Sequence, residues 1–356
     1  MAYTTVDDPS LYFHIQTWTG TSDDSTKTIT NSANAGDFKP DWLWIKARSG
    51  TYSTRDNALY DSSRGATARL ESNATDAEAT DSNNVFNTNG FTLTANYSIN
   101  GPSTNHVGWQ WKVNGGTTSS NSNGSITTTV QANTSAGISI VLYTSASGGQ
   151  TIGHGLGVVP EMYWIKKRNA AGDDWFVYHS ALGEGKKIRL SGNNGQESDT
   201  NIWQNTAPTT TVASLQNDGG GVNVSTGGTK NYVGYFFNSV KGYSKIGSYS
   251  GNGDADGTFV YTGFRPAWLL FKESGANGEH WRIFDSTRST SNQVDDHLFA
   301  STNGAESAET GCDFLSNGFK WRNSDNHQNG SSKTYIYMAF AEHPFVSSKG
   351  APVTAR

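Results

Sequence analysis

Four side chains stand at a spacing that could grip a small polar ligand. Asp61-Ser62-Ser63-Arg64 recurs as Asp285-Ser286-Thr287-Arg288. A carboxylate and a guanidinium flanking two hydroxyls can clamp a hydroxylated molecule, because charge strengthens each hydrogen bond. The same spacing suits a strand end that turns. Asp61 and Asp285 would then accept from backbone N–H groups a few residues on, with Arg64 and Arg288 pairing the carboxylates. The corresponding stretch between them reads His179-Ser180-Ala181-Leu182 and lacks both charges, which favours the turn. His179 and Ser180 do not form a catalytic dyad. Neighbours on a strand point to opposite faces, and a base must reach its nucleophile.

Other candidates are weaker. Asn252, Asp254 and Asp256, followed by Gly257, alternate like the front of a calcium loop. The twelfth position is Gly263, so the closing acidic ligand is missing; a hairpin turn is the simpler reading. An acidic stretch at Asp23-Asp24 stands at the matching place earlier in the chain. His154 lies among Gly153, Gly155 and Gly157, the pattern of a tight loop with special backbone angles. Carboxylate pairs (Asp7-Asp8, Asp173-Asp174, Asp295-Asp296) sit in turn-like contexts, and no nucleophile elbow, zinc-protease helix, P-loop or dinucleotide fingerprint is present. One cysteine, Cys312, excludes an intrachain disulfide and a thiolate zinc site. The sequence therefore predicts no enzyme, no catalytic residue, no cofactor and no metal. A net charge of −5 without a basic stripe argues against nucleic acid. No run approaches the length of a membrane helix. The N-terminus has neither a basic nor an apolar region, so no secretory signal is expected.

The elements that carry these residues recur three times. FKPDWLWIKAR from Phe38, VVPEMYWIKKR from Val158 and FRPAWLLFKES from Phe264 each place a proline one residue before an aromatic run ending near lysine. The blocks around Tyr60, Tyr178 and Phe284 follow, then the turns NTNGF, QNDGG and LSNGF, then NHVGWQWK, NYVGYFFN and TYIYMAF. Four blocks in one order, three times, indicate tandem copies. The runs are aromatic and β-branched and are bounded by Gly, Asn and Asp, so they read as short strands. The expected fold is all-β: three tandem antiparallel β-sandwich repeats, jelly-roll-like, with an up-and-down barrel second. The segments are an N-terminal arm plus repeat over 1–113, a Ser/Thr/Asn/Gly-rich linker with one strand over 114–137, repeats over 138–241 and 242–346, and a tail over 347–356. The first repeat is expected to stand apart, with the second and third rigidly joined. Two Ala/Glu-rich stretches, around Ala74–Ser82 and Gly304–Gly311, admit either a helical turn or an acidic loop.

Within the proline strand, Trp42 and Trp44 share one face and Leu43 and Ile45 the other, so both faces are packed. The Tyr60, Tyr178 and Phe284 position is core. Trp109, Trp111, Trp203, Trp281 and Trp321 are mostly core too, but any of them in loops could stack on sugar rings.

Taken together, Phe38–Arg48, Leu59–Glu78, Phe86–Leu93 and Val107–Lys112 resemble an uncharacterised repeat domain of tailed-phage virion proteins, especially those of marine phages. The linker from Gly124 and the ending from Tyr335 are similar to the same proteins. The resemblance implies a virion protein made in the host cytoplasm, a tail or fibre component in multicopy or homo-oligomeric assembly with other virion proteins. Aromatic-rich repeats with polar Ser/Thr/Asn/Gly loops point to contact with host-surface carbohydrate; a capsid decoration or head-fibre role is the alternative, and a glycan-degrading enzyme ranks last. The resemblance supplies no catalytic residues.

Overall fold

The computed structural model describes residues 4–21, 25–31, 38–216 and 221–352. The protein is all-β with antiparallel sheets. Its helices among the described residues are one α-turn at Tyr97–Asn100 and one 3-10 turn at Pro9–Leu11. Three large sheets share a strand order. The first runs Phe13–Thr19, Thr104–Trp111, Trp42–Gly50, Ala58–Asp61, Gly65–Glu71, Ala79–Thr80. The second contains Ile138–Thr144, Asn231–Phe237, Met162–Lys167, Phe176–His179, Lys186–Arg189, Glu197–Ser198. The third contains Ser244–Ser250, Thr334–Pro344, Phe264–Glu273, Arg282–Asp285, Val294–Phe299, Ser307–Leu315. Register matches as well: Ala58 faces Glu71, Phe176 faces Arg189, and Arg282 faces Phe299.

Alternation along each proline strand sends side chains to two cores. Leu43 and Ile45 join Tyr60, Phe91 and Leu93 beneath the small sheet of Lys27–Ile29, Gly90–Leu93 and Val85–Asn87. Tyr163 and Ile165 pack with Ile152, Ala213 and Leu215 of the pair Gln150–Gly153 and Val212–Leu215. Leu269 and Phe271 pack with Val260, Phe319 and Trp321 of Phe259–Tyr261 and Gly318–Trp321. The opposite faces meet in one shared cluster: Trp42 and Trp44, Met162 and Trp164, Trp268 and Leu270. Trp42 lies 5.6 Å from Trp164, and Trp111 lies 5.5 Å from Trp268, ring centre to ring centre. Tyr60, Tyr178 and Phe284 are all buried, as their repeated aromatic character predicts.

The segments are joined in a cycle. Glu78 N–H donates to the Arg168 carbonyl at 2.7 Å, Gln196 N–H to Ser274 at 2.7 Å, and Glu306 N–H to Arg48 at 2.8 Å. A second set runs the other way. The Trp175 indole donates to the Glu71 carbonyl at 2.8 Å, the Trp281 indole to Arg189 at 2.7 Å, and the Asn57 amide to Phe299 at 3.1 Å. First contacts second, second contacts third, and third contacts first.

Two expectations are corrected, and a third, left open between helical turn and acidic loop, resolves as loop entering strand. The first segment does not stand apart, because Trp42, Trp44, Trp109 and Trp111 lie in the cluster shared by all three. The stretch 114–137 carries two strands: Ser119–Asn121 pairs with Thr128–Asn133, which pairs with Ile138–Thr144 and extends the second sheet. Ser119–Asn121 is polar and short, so no hydrophobic alternation announced it. The Ala/Glu stretches are coil entering strand, at Ala79–Thr80 and Ser307–Leu315, because each pairs with its sheet. The turn signal at Asp218-Gly219, the acidic pair Asp23-Asp24, and the ends Met1–Tyr3 and 353–356 lie outside the described residues.

Candidate functional site

Asp61, Arg64, Asp285 and Arg288 form two buried relays between segments. Both Asp–Arg pairs have side chains with no exposed area. Each aspartate first caps its own turn: Asp61 Oδ1 accepts from Arg64 N–H at 2.8 Å, and Asp285 Oδ1 from Arg288 N–H at 2.9 Å. Each arginine then folds back onto its aspartate, Nε to Oδ2 at 2.5 Å in both. Its second nitrogen reaches a carboxylate further along, Arg64 to Glu78 at 2.8 Å and Arg288 to Glu306 at 2.9 Å. Those glutamates are gripped bidentately from the next segment, Glu78 by Arg168 at 2.8 Å and Glu306 by Arg48 at 2.7 Å.

Each relay also receives a neutral donor from across the boundary. The Tyr235 hydroxyl donates to Asp61 Oδ2 at 2.6 Å, and the Trp109 indole to Asp285 Oδ2 at 3.0 Å. Burial disfavours the Arg64 charge, but Asp61, Tyr235 and Glu78 outweigh it and hold the guanidinium more firmly protonated than usual. Burial likewise raises Glu78 and Glu306, yet their two arginines each bring both below the ordinary carboxylate range.

The second segment closes onto the third without charge. His179 takes the aspartate's place, and its Nδ1 accepts from Ala181 N–H at 3.1 Å, again capping the turn. Leu182 replaces the arginine and packs on the central cluster. Gln196 stands where Glu78 and Glu306 do, and Ser274 where Arg168 and Arg48 do. The strand position that supplies Trp109 and Tyr235 carries Met338, which has no donor. Burial pushes the His179 imidazole down to about 4, with the Tyr337 backbone opposing.

The repeated lysines are interior as well. Lys46 Nζ donates to the carbonyls of Ala47 and Ser53 at 2.9 Å and of Asn303 at 3.3 Å. Lys166 donates to Asp173 O at 2.5 Å, and Lys272 to Glu279 O. Burial lowers them to about 7, about 8 and about 8, respectively. Apart from Ala47, which lies in the lysine's own strand, their partners are loop carbonyls outside any strand, so the lysines anchor loops.

The remaining candidates resolve as structure. Asn252 Oδ1 accepts from Asp254 N–H at 3.1 Å and Asp254 Oδ1 from Asp256 N–H at 2.8 Å, while Asp256 pairs with Lys320 at 2.6 Å. The ring of His154 meets Thr209 O at 3.2 Å, and Gly155 and Gly157 just after it are in left-handed conformation. Asp8 caps Ser10, Asp174 pairs with Arg189 at 2.7 Å, and Ser289 bonds Asp295.

All eleven tryptophans are buried, so none offers a face to a sugar. The exposed large aromatics among the described residues are Tyr97, Phe259 and Tyr261. Sequence reasoning missed Glu78, Glu306, Arg48 and Arg168 as partners. The signal was available in the second segment, which lacks aspartate, arginine and glutamate together at the matching positions.

Two cavities open on the surface beside the third segment. One, about 440 Å³, lies between Phe13–Ile15 and Ser286-Thr287; the other, about 430 Å³, lies between Lys241, Tyr261 and Val346. No curated protein and no solved structure matches the chain. A domain family of unknown function spans residues 8–344, and the chain belongs to that family, DUF7483.

Proposed function

We propose that the protein is a non-catalytic surface component of a tailed-phage virion, three β-sandwich copies closed into a ring that presents polar loops to host glycan. The observation that carries this reading is where the charges go. The repeated ionisable groups Asp61, Arg64, Asp285 and Lys46 have buried side chains bonded to neighbouring segments, and Arg288 is buried beside Asp285. Such groups hold copies together; they are not placed to meet a substrate. A rigid block with three related faces suits repeated weak contacts, which multiply when linked at fitting geometry. The outer loops are rich in Ser, Thr, Asn and Gly, which adapt their hydrogen bonds to a partner. The sequence resemblance to virion repeat domains supports the location, and the loops support glycan contact over enzymatic attack.

A fluorescently labelled, multimerised form of the whole chain tests it. Staining of susceptible cells, and none of mutants with altered surface glycan, is the expected result. No staining of either, with saturable binding to capsids that lack the protein, would replace adhesion by capsid decoration. Release of oligosaccharide from host polysaccharide would overturn the non-catalytic reading.

A further inference from the structure

A pair of hydroxyls that is covered in the first segment is uncovered in the third. In the first, Gln131 on Thr128–Asn133 lays its carboxamide across Ser62 and Ser63. Its Nε2 donates to their Oγ atoms at 2.9 and 2.8 Å. Its Oε1 accepts from the N–H groups of Gly116 at 2.8 Å and Asn114 at 3.2 Å. Asp41 completes the place, accepting from Ser62 Oγ at 2.7 Å, and Gln131 has no exposed surface.

The third segment repeats the frame and omits the occupant. Ser286 N–H donates to Ala267 O at 2.8 Å, as Ser62 N–H does to Asp41 O at 2.8 Å. Ala267 stands where Asp41 does and brings no carboxylate. Among the described residues no strand lies where Thr128–Asn133 does, because Phe13–Thr19 pairs with Thr104–Trp111 alone. What remains is the cavity of about 440 Å³, walled by Phe13, His14, Ala267, Ser286, Thr287 and His343. Among the described residues neither the Ser286 nor the Thr287 hydroxyl has a hydrogen-bond partner.

We propose that this cavity binds the acetamido group of an N-acetylated sugar. The chain's own carboxamide at Ser62 and Ser63 shows which group such a hydroxyl pair accepts. The sugar's amide N–H donates to one hydroxyl of Ser286 and Thr287, and its carbonyl accepts from the other or from an imidazole N–H of His14 or His343. The methyl meets Phe13 and Ala267, apolar surface that a carboxamide alone would leave bare. The volume is in the range of small-ligand sites and far exceeds one amide, so a pyranose ring fits with it. The ring's hydroxyls face the polar wall and its C–H groups the apolar one. This inference rests on the glycan-contact reading and names the sugar class.

Saturation-transfer NMR on the full chain with N-acetylglucosamine, glucosamine and glucose tests it. N-acetylglucosamine should bind and the other two should not. The Ser286→Ala/Thr287→Val variant should weaken binding ~10-fold or more, as expected for losing two hydrogen bonds. Ser62→Ala, at the covered place, should leave binding unchanged. Circular dichroism and melting confirm that each variant folds. Absence of N-acetylglucosamine binding, equal binding of glucose, or indifference to the double variant would overturn the proposal. A concentration-dependent dimer abolished by that variant would also overturn it, assigning the cavity to a glutamine of a second copy. If the double variant loses the sugar yet still stains cells fully, the cavity is not the adhesive site, while the glycan-contact reading stands.

Discussion

Two boundaries between segments are charged and the third is neutral, although all three are built on the same backbone bonds. Asp61, Arg64, Glu78 and Arg168 span the first boundary, and Asp285, Arg288, Glu306 and Arg48 span the closing one. His179, Leu182, Gln196 and Ser274 hold the corresponding places between second and third. The difference teaches that these side chains change as a set. Where the facing strand offers Tyr235 or Trp109, an aspartate accepts from it; where it offers Met338, the aspartate is gone. A buried carboxylate is tolerable only with its full complement of donors. Removing the donor, the arginine and the glutamate together leaves no charge stranded at the boundary, whereas removing only the donor or the arginine would leave the aspartate short of partners.

The largest expected effect breaks a charged boundary. Arg64→Ala leaves the buried Asp61 without its countercharge and takes one of two arginines from Glu78, and should cost about 3–5 kcal/mol of folding stability in urea unfolding. His179→Ala on the neutral boundary loses one cap and some packing, and should cost roughly 1–2 kcal/mol. Equal losses would dissolve the distinction between the boundaries.

A transplant sharpens it. His179→Asp puts a carboxylate on the neutral boundary without arginine or donor. A loss of about 3 kcal/mol is expected, the scale for an uncompensated buried charge. Adding Leu182→Arg should restore part of it. If His179→Asp alone is neutral, the absence of Tyr or Trp opposite is not what shaped this boundary.

The pH response should differ in the same sense. His179 is held neutral when folded, at about 4, against an ordinary value of 6.5. Between those values the unfolded chain binds the extra proton, so stability falls as pH drops from about 6.5 to about 4. His106 and His297, also pushed to about 4 by burial, add to this acid limb. His179→Gln should flatten part of the limb in thermal melts between these pH values. An unchanged slope would mean that the imidazole is solvated when folded.

The smallest effect is a control. Asp256→Asn removes an exposed pair with Lys320 and should leave the urea-unfolding midpoint essentially unchanged. A marked drop would mean that surface pairs rival the buried relays.

Much of the local design was legible in the sequence. Alternation in WLWIK placed Trp42 and Trp44 on one face and Leu43 and Ile45 on the other, and both faces proved packed. The turn reading of Asp61 and Asp285 was legible because Asp-x-x-Arg is a local pattern, and both carboxylates do cap their turns. Closure was not legible. Trp175 bonding Glu71, or Lys46 bonding Asn303, joins residues far apart in the chain, and no short-range spacing encodes such a meeting. The strand Ser119–Asn121 was missed because its stability comes from pairing, not from its own polar residues.

Native-state hydrogen exchange on an Ile15→Ala variant tests most directly whether the three segments share one core. Ile15 belongs to the first segment and lies in the central cluster; its truncation should cost about 2–4 kcal/mol. If the core is shared, the most protected amides of Met162–Lys167 and Phe264–Glu273 should lose as much opening free energy as those of Trp42–Gly50. Faster exchange confined to the first segment, with the other two unchanged, would contradict it.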